Sequence, residues 1–449
     1  MSCHGNNATP PSPATAPGGE GIDPAQVALE LGRRGMDPRV TKAVPEFDAP
    51  FFQAGLAGYS DAAMRVIARR HGAPMCITEA LLDRMLLGGG RGFDKADMHH
   101  QDELLRDNLP SGREDQPLSG QIIGGDPDEM AAAALKMIEQ GRRHAKTYRD
   151  MAYAEGRTPV YIDTRWRADD DAQGAAPLES QTTTTMSPRI VAHPDPSPPT
   201  APAIGSPFAT IDVNLACPVK KVDRKNRGGH WLREPDGAFA ILRAVREAVP
   251  SEIPCTVKLR RAYDDSPEMA ANFERVFNSA YELGYAWATV HARTVEQKYI
   301  GPSRWDILRD LCARHPDKPI FGSGDIWEVR DIFRMIRYTG VAAVAVARGC
   351  IGNPWIFRQA RDMMAGREPL APTIDQQREV LLQHFTLCVA LHGERNAGKL
   401  MRKFGIRFAG HHPRAEEVRL RMIGVNCTAD WRAVLEEFYD EPIAANANT

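Results

Sequence analysis

One cysteine of this chain lies in a sequence that could do acid–base or nucleophilic chemistry. Cys217 follows a short apolar run, residues 209–213, and is followed at once by Pro218. The run predicts a buried strand. Because proline cannot continue a hydrogen-bonded ladder, the chain must turn there and hold the thiol at the mouth of a sheet or barrel.

The residues that follow this cysteine are strongly cationic. Lysines occupy positions 220 and 221, and Arg224, Lys225 and Arg227 follow within the next turn or two of chain. Positive charge of this density stabilises a thiolate and can also hold a polyanion. A buried structural thiol is the commoner fate of a lone cysteine. The position after a strand and the basic flank together favour a functional thiol.

Length and composition limit the class of protein. The chain has 449 residues, which exceeds one ordinary domain and suits a barrel of about 250 residues with additions. Its eight cysteines have no paired spacing typical of zinc sites or disulfide frameworks, so we expect no bound metal. Reduced thiols and the lack of an apolar run of membrane length indicate a soluble, cytoplasmic protein, which we expect to be a monomer.

Alternating apolar and amphipathic segments determine the fold prediction. Eight short strands are predicted, separated for the most part by amphipathic helices. The predicted strands cover residues 51–55, 75–79, 117–123, 210–214, 255–259, 287–291, 319–322 and 342–347. Eight is the number that closes a (β/α)8 TIM barrel. A doubly wound open sheet is the alternative, but the chain lacks the glycine fingerprint of a dinucleotide site.

The pattern divides the chain into a barrel and its additions. We expect the barrel to span residues 45–360, with an irregular insertion at about 141–207 that is rich in proline and threonine. Four helices are predicted within residues 365–440, which form a separate helical domain. Residues 1–44 are predicted to be a disordered tail, and residues 441–449 are predicted to form a short tail after the helical domain.

In such barrels, ligand groups lie at the carboxyl ends of the strands, and phosphate is often held after strands seven and eight. The glycines beside Ser323 let backbone amides approach a phosphate, and Arg348 adds a positively charged guanidinium that can donate two hydrogen bonds to it. Gln121, Lys258 and His291 end three other strands with groups that can bind the edge of a flavin ring. The sequence therefore predicts a flavin mononucleotide (FMN) site at the barrel mouth.

The segment Asn214 to Val222 (NLACPVKKV) resembles the active-site segment of the tRNA-dihydrouridine synthases. Further segments match this family in its own order. They are LAGYSD at 56–61, QIIGGDP at 121–127, VKLR at 257–260, VHART at 290–294, GSGDI at 322–326 and ARGCIGNPW at 347–355. Each is weak alone, but together they extend the resemblance from Ala49 to Phe357, apart from the insertion.

The resemblance implies an activity and a set of site residues. It implies that NADPH reduces FMN, that hydride passes from flavin N5 to C6 of a tRNA D-loop uracil, and that Cys217 protonates C5. Asn214 and Arg293 are expected to contact the substrate, and the helical domain to bind tRNA through basic residues on one face of a helix, namely Lys399, Arg402, Lys403 and Arg407. The expected cofactor contacts are Gly55, Leu56, Ala57, Gln121, Lys258, His291, Ser323, Gly324, Asp325, Ala347 and Arg348.

Four positions depart from the family pattern, which usually has proline at Gly55, asparagine at Ser323 and glycine at Ala292 and Ala347. Most of these contacts are made by backbone atoms, so we expect flavin binding to survive. Two other functions stay open at this point. One is a flavin barrel oxidoreductase that acts on a small molecule, and the other is a non-catalytic RNA-binding relative.

Overall fold

The computed structural model describes residues 21–87, 115–139 and 208–440. Their strands are all parallel. They are β1 (Phe51–Gln53), β2 (Cys76–Ile77), β3 (Leu81–Leu82), β4 (Leu118–Ile123), β5 (Thr210–Leu215), β6 (Cys255–Arg260), β7 (Ala288–His291), β8 (Ile320–Ser323) and β9 (Ala343–Val346). Because β2 pairs with both β1 and β4, eight strands close into a barrel and β3 adds to β4. The predicted TIM barrel is confirmed, and β3 was not predicted.

Helices alternate with the barrel strands and continue beyond them. Those that precede or accompany the barrel are α1 (Pro24–Arg34), α2 (Pro38–Ala43), α3 (Ala62–Arg70), α4 (Asp83–Leu86), α5 (127–139), α6 (Lys220–Asp223), α7 (Pro235–Ala248), α8 (Pro267–Glu282), α9 (Trp305–Arg314), α10 (Val329–Thr339) and α11 (Trp355–Met364). Those that follow are α12 (Ile374–His392), α13 (Glu394–Phe408), α14 (Ala415–Ile423) and α15 (Thr428–Phe438).

The last four helices form the helical region that the sequence predicts. Helix α12 begins with a capping box, in which Thr373 and Gln376 each bond the other's backbone amide. The stacked rings of Phe385 and Trp431, 5.4 Å apart, join α12 to α15 in its core. None of the helices in the described ranges is long and apolar enough to cross a membrane. The predicted insertion at 141–207 and the tail at 441–449 lie outside the described residues.

Residues 21–44 correct the prediction of a disordered tail. Helices α1 and α2 each begin with an Asp-Pro pair, in which Asp23 or Asp37 caps the first turn and the proline occupies it. Helix α1 buries Val27 and Ala28 in the main core. The two caps and the apolar residues after them fix this segment against the rest of the protein.

The segment after α2 also fills the base of the barrel. Phe47 packs edge-on against Phe52, Trp287 and Phe321, with ring centroids 5.8 to 6.3 Å apart. The rings of Trp287 and Phe321 stack at 4.8 Å. All four side chains are buried in one cluster, so the amino-terminal segment is part of the barrel's core.

Candidate active site

Strand register brings the predicted site residues together at the barrel mouth. Neighbouring strands pair Asn214 with Lys258, Arg260 with His291, and His291 with Ser323. Side chains at alternate positions of a strand share one face, so the polar residues near these strand ends converge. The structure therefore places Asn214, Lys258, His291 and Ser323 at one end of the barrel, as the sequence predicts.

Below them, a buried polar network links strands β4, β5 and β6. Gln121 donates from Nε2 to Asp212 (2.7 Å) and accepts at Oε1 from Asn214 (2.8 Å). Thr256 donates to the other oxygen of Asp212 at 2.6 Å. Burial raises the pKa of Asp212, while these donors and the charge of Lys258 act in the opposite direction. The amides of Gln121 and Asn214 are thus engaged within the protein.

Cys217 lies on a turn that its neighbours hold from two sides. Asn214 Oδ1 accepts from the Ala216 amide at 2.9 Å, and Arg260 Nε donates to the Ala216 carbonyl at 3.0 Å. On the other side, Gly228 has φ +60, and a β-carbon there would lie 2.8 Å from that of Cys217. A glycine is therefore required for this close approach, and the half-buried thiol has a fixed place.

Two cations on the next strand act on this cysteine. Cys217 interacts electrostatically with Lys258 and Arg260. Burial is the main cause that lowers the pKa of Lys258 to about 8 and that of Arg260 to about 10. In the basic flank after the cysteine, Arg227 is buried and pairs with Asp83 at 3.0 Å, so it holds the loop rather than a polyanion.

His291 is neutral at physiological pH. Burial lowers its pKa well below the usual value, and four cationic neighbours act in the same direction. These neighbours are Arg260, Lys258, Arg293 and Arg348. The ring accepts at Nδ1 from the Arg293 amide at 3.2 Å, which leaves Nε2 as the nitrogen that carries the proton. His291 can therefore donate a hydrogen bond at the mouth, but it does not add a positive charge there.

Two arginines near the ends of β7 and β9 share one carboxylate. Asp325 accepts from Arg293 at 2.7 Å, from the Ser303 amide at 2.7 Å and from Arg348 at 3.4 Å. Arg293 is buried and also donates to the Gly301 carbonyl. These contacts favour a role for Arg293 within the protein, so its contact with RNA stays a prediction, whereas Arg348 remains about a third exposed.

The loop after β1 explains why a glycine stands at position 55. A β-carbon on Gly55 would clash with the carbonyl oxygen of Thr78. The adjacent Leu56 amide donates to the hydroxyl of Ser60 at 2.8 Å, which closes the turn, and Ala57 is exposed beside it. A residue with a β-carbon at this position would therefore require the loop to lie further from the end of β2.

Comparison with known proteins decides the family. The dihydrouridine synthase (Dus) family model matches residues 201–441. A probable tRNA-dihydrouridine synthase of Treponema pallidum is 32% identical over 233 residues, which cover 51% of this chain and 68% of that protein. The chain belongs to the dihydrouridine synthase family.

A second relative matches over most of the chain, whereas solved structures resemble it only weakly. The tRNA-dihydrouridine synthase B of Shewanella oneidensis is 28% identical over 360 residues, 80% of this chain and 83% of that protein. Among solved structures, morphinone reductase in complex with tetrahydroNAD gives a TM-score of 0.39 at 10% identity, over 72% of this chain and 89% of that chain. A likeness that weak says nothing about what the present dihydrouridine synthase binds.

The predicted tRNA-binding residues of this dihydrouridine synthase all lie on α13 but do not share one environment. Lys399 and Arg407 are exposed, and Arg402 is half-exposed beside Asn426. Lys403 instead lies over the ring of Tyr59, 4.7 Å from its centroid, at the junction with the barrel. The spacing placed all four on one helix, but it could not show that Lys403 contacts the barrel.

Two residues of the mouth were missed as site residues. Asp212 was seen only as part of an apolar strand, and Arg260 only as part of a motif. Asp212 precedes Asn214 by two residues, and Arg260 follows Lys258 by two, so each shares a strand face with a predicted site residue. That spacing was a signal in the sequence that could have found both.

Proposed function

We propose that this dihydrouridine synthase reduces uridine to 5,6-dihydrouridine in the D-loop of tRNA, with FMN as its cofactor and NADPH as the reductant. The observation that carries the proposal is the position of Cys217. Its thiol lies at the carboxyl end of β5, at the mouth of a closed barrel, within the electrostatic range of Lys258 and Arg260. This is the place where a barrel enzyme acts on its substrate.

The residues at the ends of β8 and β9 suit the phosphate of such a cofactor. Gly324 has φ +117, and a β-carbon there would clash with the hydroxyl of Ser303. That hydroxyl is buried and has no hydrogen-bond partner in the described part of the chain, and neither does Nη1 of Arg293. Unpaired buried donors beside the half-exposed guanidinium of Arg348 are a donor set that favours a phosphate.

The neighbouring strands β6 and β7 suit a flavin ring. Lys258 offers an ammonium group and His291 offers an Nε2 donor. Both side chains are held by strands, Lys258 by β6 and His291 by β7. Donors and a positive charge suit the carbonyl and nitrogen acceptors at the edge of a flavin. When bound, the flavin supplies the hydride that reduces uracil C6, with electrons taken from NADPH.

Cys217 supplies the other half of the reduction. Its Sγ holds the proton that C5 of the uracil receives. The positive charges of Lys258 and Arg260 stabilise the thiolate that remains once the proton has left. The bonds through Asn214 and Arg260 to Ala216 keep the thiol from turning away. The target base must be unstacked from the RNA before it can enter this mouth.

Two measurements on the purified protein test the proposal. We expect bound flavin with its absorption bands, released as FMN on denaturation, and dihydrouridine formed in unmodified tRNA when NADPH is added. Mapping dihydrouridine in tRNA from a strain that lacks the protein identifies the position. A protein that binds tRNA but no flavin would contradict the proposal and favour an RNA-binding role. Reduction of small enones without any dihydrouridine in tRNA would also contradict it.

The proposed tRNA surface on α13 has its own test. Changing Lys399, Arg402 and Arg407 together to Gln should weaken tRNA binding and flatten its salt dependence, since each lost phosphate contact removes about one released counterion. Oxidation of NADPH by the bound flavin should not change. The surface is wrongly placed if the triple variant keeps the affinity and the salt slope of the unmodified protein.

A further inference from the structure

Helix α13 contacts the loop after β1, at residues 55–60. The rings of Tyr59 and Phe404 meet edge-on with centroids 5.6 Å apart. One helix earlier, His392 Nε2 lies 3.1 Å from the carboxylate of Asp61, which caps α3. The helical domain therefore touches the segment from which the barrel's predicted cofactor contacts at Gly55 to Ala57 emerge.

Lys403 lies at the centre of this junction. Its ammonium is 4.7 Å from the centroid of Tyr59 and 5.4 Å from that of Phe404. It is 4.0 Å from the point where a β-carbon on Gly58 would stand. Such a cation over an aromatic face contributes to holding the ring in place. Lys399, one turn earlier on the same helix, is exposed to solvent.

A carboxylate completes the arrangement from the barrel side. Glu79, just past β2, accepts a hydrogen bond from the backbone amide of Gly58. Burial raises the pKa of this carboxyl, and Asp61 acts in the same direction. The charges of Lys403 and Arg65, together with the bond from Gly58, act in the opposite direction. Lys403 thus lies over the ring of Tyr59 and acts electrostatically on the Glu79 carboxylate, which holds the tip of the 55–60 loop through Gly58.

We propose that Lys403 is a positioning residue for the flavin-binding loop and not one of the contacts to tRNA phosphate. Its positive charge stabilises Glu79 in the form that accepts from Gly58, and its place over Tyr59 fixes the same loop against α13. This inference rests on the proposed function, because the cofactor contacts expected at Gly55, Leu56 and Ala57 require that the protein binds FMN.

Hydrogen exchange of the 55–60 segment in flavin-free protein tests the inference directly. Lys403→Met keeps the apolar stem and removes the charge, so exchange there should become about three- to thirtyfold faster, the range that a cation–π contact corresponds to. Lys403→Arg should restore slow exchange. Lys399→Met is the matched control, and exchange of the segment should be unchanged in it. Exchange in β6 reports whether the whole barrel has loosened.

Two binding measurements separate the alternatives. Lys403→Met should weaken FMN binding by a similar factor and leave the salt slope of tRNA binding unaltered, whereas Lys399→Met should do the reverse. The inference is overturned if Lys403→Met shows normal exchange and a reduced salt slope. Uniformly faster exchange, including in β6, would also overturn it. If the unmodified protein binds no FMN, the proposed function fails, and exchange of the 55–60 segment still decides the role of Lys403.

Discussion

At the base of the barrel, Phe52 of β1, Phe321 of β8 and Trp287, which directly precedes β7, pack around Phe47 with no exposed ring. At the mouth, only a few residues further along β7 and β8, His291 pairs with Arg260 of β6 on one side and with Ser323 of β8 on the other. The base is aromatic and closed, and the mouth is polar and charged.

The two ends contribute to stability with opposite sign. Buried aromatic side chains at the base stabilise the fold through the area they remove from water. At the mouth, burial lowers the pKa of Lys258 and raises that of Asp212, so both shifts disfavour the charged forms. The buried ionisable groups at the mouth therefore lower the stability of the fold, and the aromatic cluster at the base offsets this loss. Such a loss is expected where side chains serve binding and chemistry rather than folding.

The largest effect at the mouth should come from Cys217→Ala. We expect dihydrouridine formation to fall by about 100- to 10,000-fold, the usual contribution of a positioned general acid. FMN content and reduction by NADPH should not change, because the thiol supplies only the C5 proton. Cys427→Ser, at an exposed cysteine in the helical domain, is the matched control. An undiminished rate in Cys217→Ala would show that another group is the acid.

Substitutions at the base of the barrel should change the stability of the protein but not its activity. Phe321→Ala leaves a cavity among Phe47, Phe52 and Trp287, so the free energy of unfolding in urea should fall by about 3–5 kcal/mol. Phe321→Leu should lose less, since more of the volume remains filled. Dihydrouridine formation per folded molecule should stay the same in both. A lost activity at unchanged stability would mean that the base and the mouth are not separate in function.

The sequence predicted the barrel strands well, because the spacing of apolar residues and the turn residues between strands are local signals. All eight barrel strands lie where they were expected, to within a few residues at each end. Helices α1 and α2 were missed, although Asp23 and Asp37 each precede a proline and mark a helix start. The burial of Phe47 just after them could not be predicted from local pattern, because its partners lie some 240 and 270 residues away along the chain.

The site was predictable as a set of strand-end residues but not as a network. Lys258 and His291 follow from strand ends alone. The pairs Arg293–Asp325 and Arg227–Asp83 join different loops and depend on three-dimensional packing. Spacing along the sequence therefore shows which side chains reach the mouth. It does not show which of them are already bound to one another, and for this reason Lys403 was grouped with the phosphate contacts.

A smaller effect at the mouth is expected from Arg348→Ala. A charge-assisted contact to phosphate contributes about 1.5–3 kcal/mol, so FMN affinity should fall about ten- to a hundredfold. The fold should be little affected, because Arg348 is about a third exposed and its contact with Asp325 is long, 3.4 Å. Arg330→Ala, on the exposed side of α10, serves as the control. Full flavin occupancy with an unchanged dissociation constant would remove Arg348 from the phosphate site.

The smallest expected effect is on the free energy of unfolding. The variant Lys258→Met measures how much stability the protein loses by burying the charged Lys258 at the mouth. Burial lowers the pKa of Lys258 from 10.5 to about 8, so between these values the unfolded chain binds a proton that the folded chain does not. The stability of flavin-free protein should therefore rise with pH across this window, and the charged lysine is unfavourable below about pH 8.

In urea unfolding at pH 7, flavin-free Lys258→Met should be more stable than the unmodified protein by on the order of 1 kcal/mol, after allowance for partial solvent exposure. The difference should shrink as the pH rises from 8 towards 10, since the neutral lysine costs less to bury. The same variant should bind FMN more weakly, because a cation that faces the ring edge has been removed. A variant that is less stable at pH 7, or a difference that does not change with pH, would show that Lys258 contributes to the fold.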